Sequence, residues 1–235
     1  MKALLTFALA AATVAAAAQT KSVVLAAAAA APAATAPDAY AAAMLGIIAE
    51  QNAAKTPAEL QFNLAKLERV AAAAPTAWEP RYYQARGYVK LGFAGTDGDA
   101  QDKLFDRAQA ALDQGLKLPG TDRAELLVMQ AYLNQGRIMV SPMLRGAVYS
   151  GRVQEALDEA QALSPNNPRV YLVLANDLYF RPAIFGGGAD KAKPLYEKAL
   201  ALFATFKPAT ALSPAWGQAN AASALAKING ETAAK

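Results

Sequence analysis

Neither cysteine nor histidine occurs anywhere in the 235 residues. Those two absences exclude disulfides, thiolate zinc sites, haem ligation through His or Cys, and Ser-His or Cys-His catalysis. Charge is moderate: Asp, Glu, Lys and Arg make up 18% of the chain, ordinary for a folded protein, and the net charge of +4 is a mild excess. No run of clustered Lys and Arg stands out, so nucleic acid is not expected as a partner. From Asp38 onward no useful length alternates with the period of two that marks a strand.

What the chain does have is alanine, the best helix former, within an apolar share of 54%. Its first 20 residues, MKALLTFALAAATVAAAAQT, carry Lys2, an apolar stretch from Ala3 to about Ala17, and small residues at Ala16 and Ala18. That is the shape of a secretory signal peptide over residues 1–18. The apolar run stops at Gln19-Thr20-Lys21, short of the roughly 20 residues a membrane span needs. No cysteine follows it, so no lipid anchor and no stable membrane attachment are expected after cleavage. Residues 19–38 are rich in alanine and interrupted by Pro32 and Pro37, which predicts a linker of little structure.

Helix signals then recur across residues 39–230. Thr56-Pro57 with Glu59, Asp122 with Glu125, and Ser213-Pro214 carry the pattern of helix starts. Gly92, Gly136 and Gly230 are read as stops. A slower rhythm lies in Pro75, Pro119, Pro165 and Pro208, spaced by 44, 46 and 43 residues. Paired helices closed by proline at a fixed period predict an all-α solenoid.

The unit after Pro165 is the clearest. Tyr171, Leu174, Ala175 and Leu178, followed by Ala192, Tyr196 and Ala199, occupy the spacings of the tetratricopeptide motif. Tyr83, Gly87, Phe105 and Ala108, and then Leu157 and Ala160, repeat parts of it in earlier units. The chain therefore resembles the tetratricopeptide-repeat family over roughly 60–228, most closely over 152–200, with units longer than the usual ~34 residues. The stretches RIMVSPMLRGAVYS and FKPATALSPAWG also resemble exported repeat proteins of Gram-negative bacteria. The resemblance implies four helical hairpins and a closing helix over 214–228, and it names no reaction. The extra length falls between the two helices of a hairpin, at 92–99, 136–151 and 181–189, along what would be one edge of the stack.

Local motifs give little chemistry. Gly186-Gly187-Gly188 lacks the Walker spacing, and Asp190 would repel a phosphate at the helix start; a tight turn with Asp190 as cap is expected. Counted from Asp97, the sixth and twelfth places of a calcium loop hold Asp102 and Ala108, which does not fit. No cofactor and no metal is expected. Glu155, Asp158 and Glu159 have no nucleophile or ligand to work with, so no catalytic residue is assigned and an enzyme is not expected.

Two candidate binding surfaces remain. One is the insertion edge, with Arg137, Arg145, Arg152 and Arg181 beside Met139, Met143, Tyr149, Ile184 and Phe185. These apolar side chains are expected to pack on each other; the alternative is an apolar floor for a carboxylate ligand or acidic peptide. The other is the concave wall of first helices, where the resemblance places Tyr88, Tyr132 and Asn176, with Arg81, Arg169 and Tyr179 nearby. The leading expectation is an exported, periplasmic, non-enzymatic scaffold for a protein or peptide partner. The alternative is a small-ligand carrier whose site lies between insertions 136–151 and 181–189 and the concave wall.

Overall fold

The computed structural model describes residues 36–233; the expected leader and most of the expected linker lie outside them. The described chain is all-helical: α1 (Ala36–Ala53), α2 (Pro57–Ala73), α3 (Glu79–Ala94), α4 (Gly98–Gly115), α5 (Arg123–Val140), α6 (Pro142–Leu163), α7 (Pro168–Phe180), a 3-10 turn (Ala183–Phe185), α8 (Ala189–Thr205) and α9 (Gln218–Ala233). The last three residues of the expected linker already belong to α1. Consecutive helices pack as the pairs α1/α2, α3/α4, α5/α6 and α7/α8, with α9 against α8. This is the repeat-like all-α architecture that the proline rhythm predicts.

The helix starts follow from local chemistry. Thr56 Oγ1 accepts the Glu59 N–H at 3.2 Å, and the Glu59 carboxylate accepts the Thr56 N–H at 3.0 Å, with Pro57 as the first helical residue. Asp97 and Asp122 each accept an N–H three residues on, from Ala100 and Glu125. Asn167 accepts the Arg169 N–H ahead of α7. Each satisfies an amide that the helix itself leaves unpaired.

Several expected boundaries move. Gly92 and Gly136 do not end helices; both lie inside them, and Gly230 is inside α9. A methyl group on Gly92 or Gly136 would lie 2.4 Å or 2.5 Å from ring carbons of the fully buried Phe105. The two glycines therefore let α3 and α5 both close on the same ring. The insertion 136–151 is helix rather than loop: α5 runs to Val140, Ser141 alone breaks the path, and Pro142 opens α6. Proline suits a first helical turn and disfavours helix in the residue before it. Ser213-Pro214 starts no helix; α9 begins at Gln218.

The core falls into two clusters that share α5. Leu126, Met129 and Leu133 face the first cluster, with Leu67, Tyr82 and Leu112. Leu127, Val128 and Ala131 face the second, with Leu157, Leu172, Tyr196 and Phe203. A helix apolar on two sides is the central wall of such a stack.

Candidate functional site

Residues 206–217, between α8 and α9, lie back across the first helices of the stack. Tyr83 in α3 donates to the Leu212 carbonyl at 3.0 Å, and Leu212 itself is buried. The Trp216 indole N–H donates to the Tyr82 hydroxyl at 2.7 Å, and its ring stacks on Tyr132 of α5 at 5.7 Å. Arg86 sits 5.5 Å from the Trp216 ring, and Arg169 of α7 lies 4.5 Å from that of Phe206. The strap thus touches α3, α5 and α7. Burial holds the Tyr82 phenol well above its ordinary value and lowers Arg86.

This corrects the expected concave surface. Tyr132 is occupied by Phe93 and Trp216. Arg169 is fully buried and held by Glu125. Tyr88 points into a different groove, about 230 Å³, where its hydroxyl donates to Glu68 at 2.6 Å and Arg107 covers its ring. Asn176 accepts from Tyr196 inside its own hairpin. Tyr179 packs on Phe180 and Tyr196, and Arg81 bonds Gln84 and the Ala71 carbonyl. These residues share no common face, because the chain supplies its own filling for the groove between first helices. Sequence reading missed Trp216, although the prolines around SPAW and Gly217 at φ +116° mark an extended turn rather than a helix start.

The insertion edge is different. Glu125 and Arg169, third in α5 and second in α7, set the two helix starts level. Since α5 has 18 residues and α7 has 13, the α5–α6 corner reaches about 6 Å further than the end of α7 at 1.5 Å per residue. No residue of α6 before Val153 is buried. Met143 (91%), Leu144 (84%) and Val148 (55%) are exposed there, as are Phe180, Ile184 and Phe185 along the α7–α8 connection. The expectation that these side chains pack on each other fails. The corner extends beyond its neighbouring hairpin, so nothing covers it.

The arginines divide. Arg145 makes two bonds to Asp102 of α4, at 2.6 and 2.7 Å, and Arg137 bonds Asp106 at 2.8 Å. Arg181 is turned back onto Asp177. Arg152 pairs with no carboxylate among the described residues and lies 5.0 Å from the Tyr149 ring. Arg137, Tyr149 and Arg152 line a groove of about 670 Å³ between α4 and α6, floored by Leu127, Gln130 and Asn134 of α5. Residues 144, 145, 148, 149 and 152 follow i,i+3 and i,i+4 spacings, so they share one side of α6, and Tyr149 and Arg152 among them line this groove. The glycine run on the same edge turns the chain: Gly186 and Gly188 have φ of +81° and +117°, and Gly187 abuts the Arg181 backbone. Asp190 lies within the first turn of α8, whose cap is Gly188.

Asp102 tethers this corner, and its carboxyl is held below the ordinary value chiefly by the Arg145 bonds. Its contribution is therefore full above about pH 4 and is lost as pH falls through the lowered value. Amide exchange of residues 145–150, corrected for intrinsic rates, is expected to accelerate at pH 3. In Asp102→Asn it should already be fast at pH 6. Identical protection at both pH values in the wild type would show that the tether does not hold the corner.

No helix among the described residues is long and apolar enough to cross a membrane. No family model matches the chain, and no curated protein does. Among solved structures it is similar to the HusA haemophore from Porphyromonas gingivalis, with 30% identity and a TM-score of 0.74, over 85% of this chain and 97% of that one.

Proposed function

Because this chain belongs to the family of the HusA haemophore, we propose that it is an exported, non-catalytic carrier of haem or a related porphyrin. The expectation of a scaffold for a protein or peptide partner is overturned: the relative is a haemophore, a haem carrier by that name. The open groove that such a scaffold needs is also filled by residues 206–217. The small-ligand alternative fits better, with its site moved off the concave wall and onto the α5–α6 corner. The tetratricopeptide-like reading of the hairpins rests on the motif spacings and on the small residues at helix crossings.

The observation that carries the proposal is the uncovered side of α6. A porphyrin is a flat apolar disc with carboxylates along one rim. Leu144 and Val148 offer apolar contact, Arg152 an unpaired guanidinium for a carboxylate, and the adjoining groove of about 670 Å³ falls in the range of small-molecule sites. Exposed apolar surface of this kind on a soluble domain marks a contact waiting for its partner.

Titration of the purified protein with haemin, followed by absorbance, should saturate at one equivalent. In a Leu144→Asp/Val148→Asp variant the affinity should fall at least about tenfold, equivalent to about 1.4 kcal/mol. Both side chains are exposed, so circular dichroism should be unchanged. Absence of saturable binding, or a double variant that binds as well as the wild type, would remove the proposal.

A further inference from the structure

Two cationic side chains are buried among the described residues, Arg86 and Arg169. Arg169 is neutralised by Glu125, whereas Arg86 forms no ion pair among the described residues. Its hydrogen bond is to a neutral amide, from Nη1 to Gln51 Oε1 at 2.6 Å. Lys90, one turn later on α3, is half-buried and also lacks an ion pair there; its ammonium donates to the Gln51 carbonyl at 2.8 Å. Gln51 stands in the last turn of α1, whose carbonyl end supplies roughly half a negative charge against two full positive ones. The titratable side chains that bear on Arg86 are the phenols of Tyr82, Tyr83 and Tyr132. Burial holds all three above their ordinary range, so they are neutral near pH 7. Lys90 is itself pushed down by burial and by Arg86.

We propose that Arg86 and Lys90 form a binding site for the carboxylate of a small organic anion, with Trp216, Tyr132 and Phe93 as its apolar wall. The site lies on α3, and it does not rest on the carrier reading above. Residues 86, 90 and 93 follow i,i+4 and i,i+3 spacings, so the two cations and Phe93 share one side of the helix. Arg86 lies 5.5 Å from the Trp216 ring, Trp216 stacks on Tyr132, and Tyr132 meets Phe93 at 4.9 Å. Lys90, Phe93, Tyr132 and Trp216 are all partly exposed, which leaves a way in from solvent. A planar carboxylate matches the edge of a guanidinium, and the neighbouring ammonium adds a second charge-assisted bond. A buried cation without a counter-charge costs the fold stability, which an incoming anion returns. The three rings favour an anion with a flat apolar body over acetate or inorganic phosphate.

The test compares naphthalene-2-carboxylate with the neutral naphthalene-2-carboxamide, by calorimetry and by the shift in thermal midpoint. The wild type should bind the carboxylate at least about tenfold more tightly than the amide, and its midpoint should rise with the carboxylate. Arg86→Met should lose both the preference and the rise. Its ligand-free midpoint should equal or exceed that of the wild type, since no unpaired charge is then buried. Lys90→Met, at a partly exposed position, should keep the fold and lose part of the preference. Equal affinity of the wild type for the two compounds, or no binding of either, overturns the proposal. A preference that survives Arg86→Met belongs to another place on the molecule and overturns it too. If Arg86→Met does not fold, an undiminished preference in Lys90→Met has the same force.

Discussion

Replacing Glu125 by alanine is expected to cost the fold about 3–5 kcal/mol, the loss typical of a buried ion pair stripped of one partner. Arg169 is 0% exposed, and the Glu125 carboxylate accepts from its Nε at 2.8 Å and its Nη2 at 2.5 Å. Asn167 adds a third bond to the same carboxylate at 2.6 Å. Arg169 Nη1 already lacks a partner, so Glu125→Ala would leave a guanidinium almost without acceptors, far from water. The Phe206 ring beside it offers no hydrogen-bond acceptor. The pair joins α5 to α7, which sets the height of the α5–α6 corner above the end of α7. Urea denaturation measures the loss, and a Glu125→Leu/Arg169→Met double variant should recover much of it, because no charge is then buried. A loss below about 1 kcal/mol, the range of exposed pairs, would mean that water reaches the guanidinium.

Gly136→Ala should also destabilise the protein, by about 1–3 kcal/mol, although alanine normally gains about 1 kcal/mol over glycine within a helix. The reversal comes from packing. The added methyl would stand 2.5 Å from Cζ and 2.6 Å from Cε1 of Phe105, whose ring is also pressed by Gly92 from α3. Phe105 has no room to retreat, being fully buried. Adding Phe105→Leu should therefore reduce the harm, so that the double variant loses less than the sum of the singles. A thermal midpoint for Gly136→Ala equal to or above wild type would show that α3 and α5 can separate at no cost.

These two cases show how far sequence reading reaches. Thr56 and Asp122 could be recognised as helix starts because a cap bonds to an amide two or three residues away. Gly136 was misread for the same reason. A glycine near a helix end has a local meaning, as a stop, and a non-local one, as space for another helix's ring. Only the second applies here. Glu125 stands in a capping pattern behind Asp122, yet its carboxylate serves Arg169, 44 residues on.

The candidate site divides along the same line. The positions of the insertions are what set Arg137, Arg145, Arg181 and Phe185 on one expected edge. Which guanidinium stays unpaired was not, because Asp102, Asp106 and Asp177 claim three of them only once α4, α5 and α7 are in place. Nor could the sequence show that Tyr132 would be taken by Trp216, a partner 84 residues away that no repeat pattern connects to it.

The sequence alone determined the all-α class, the pairing of neighbouring helices and several of their starts, since propensity, capping and proline spacing act locally. The tertiary structure decided which surface is covered and which is left bare. Those outcomes depend on contacts between residues far apart in the chain: residues 206–217 cover the first-helix side, and the long α5–α6 corner, rising past its neighbour, leaves Leu144 and Val148 exposed.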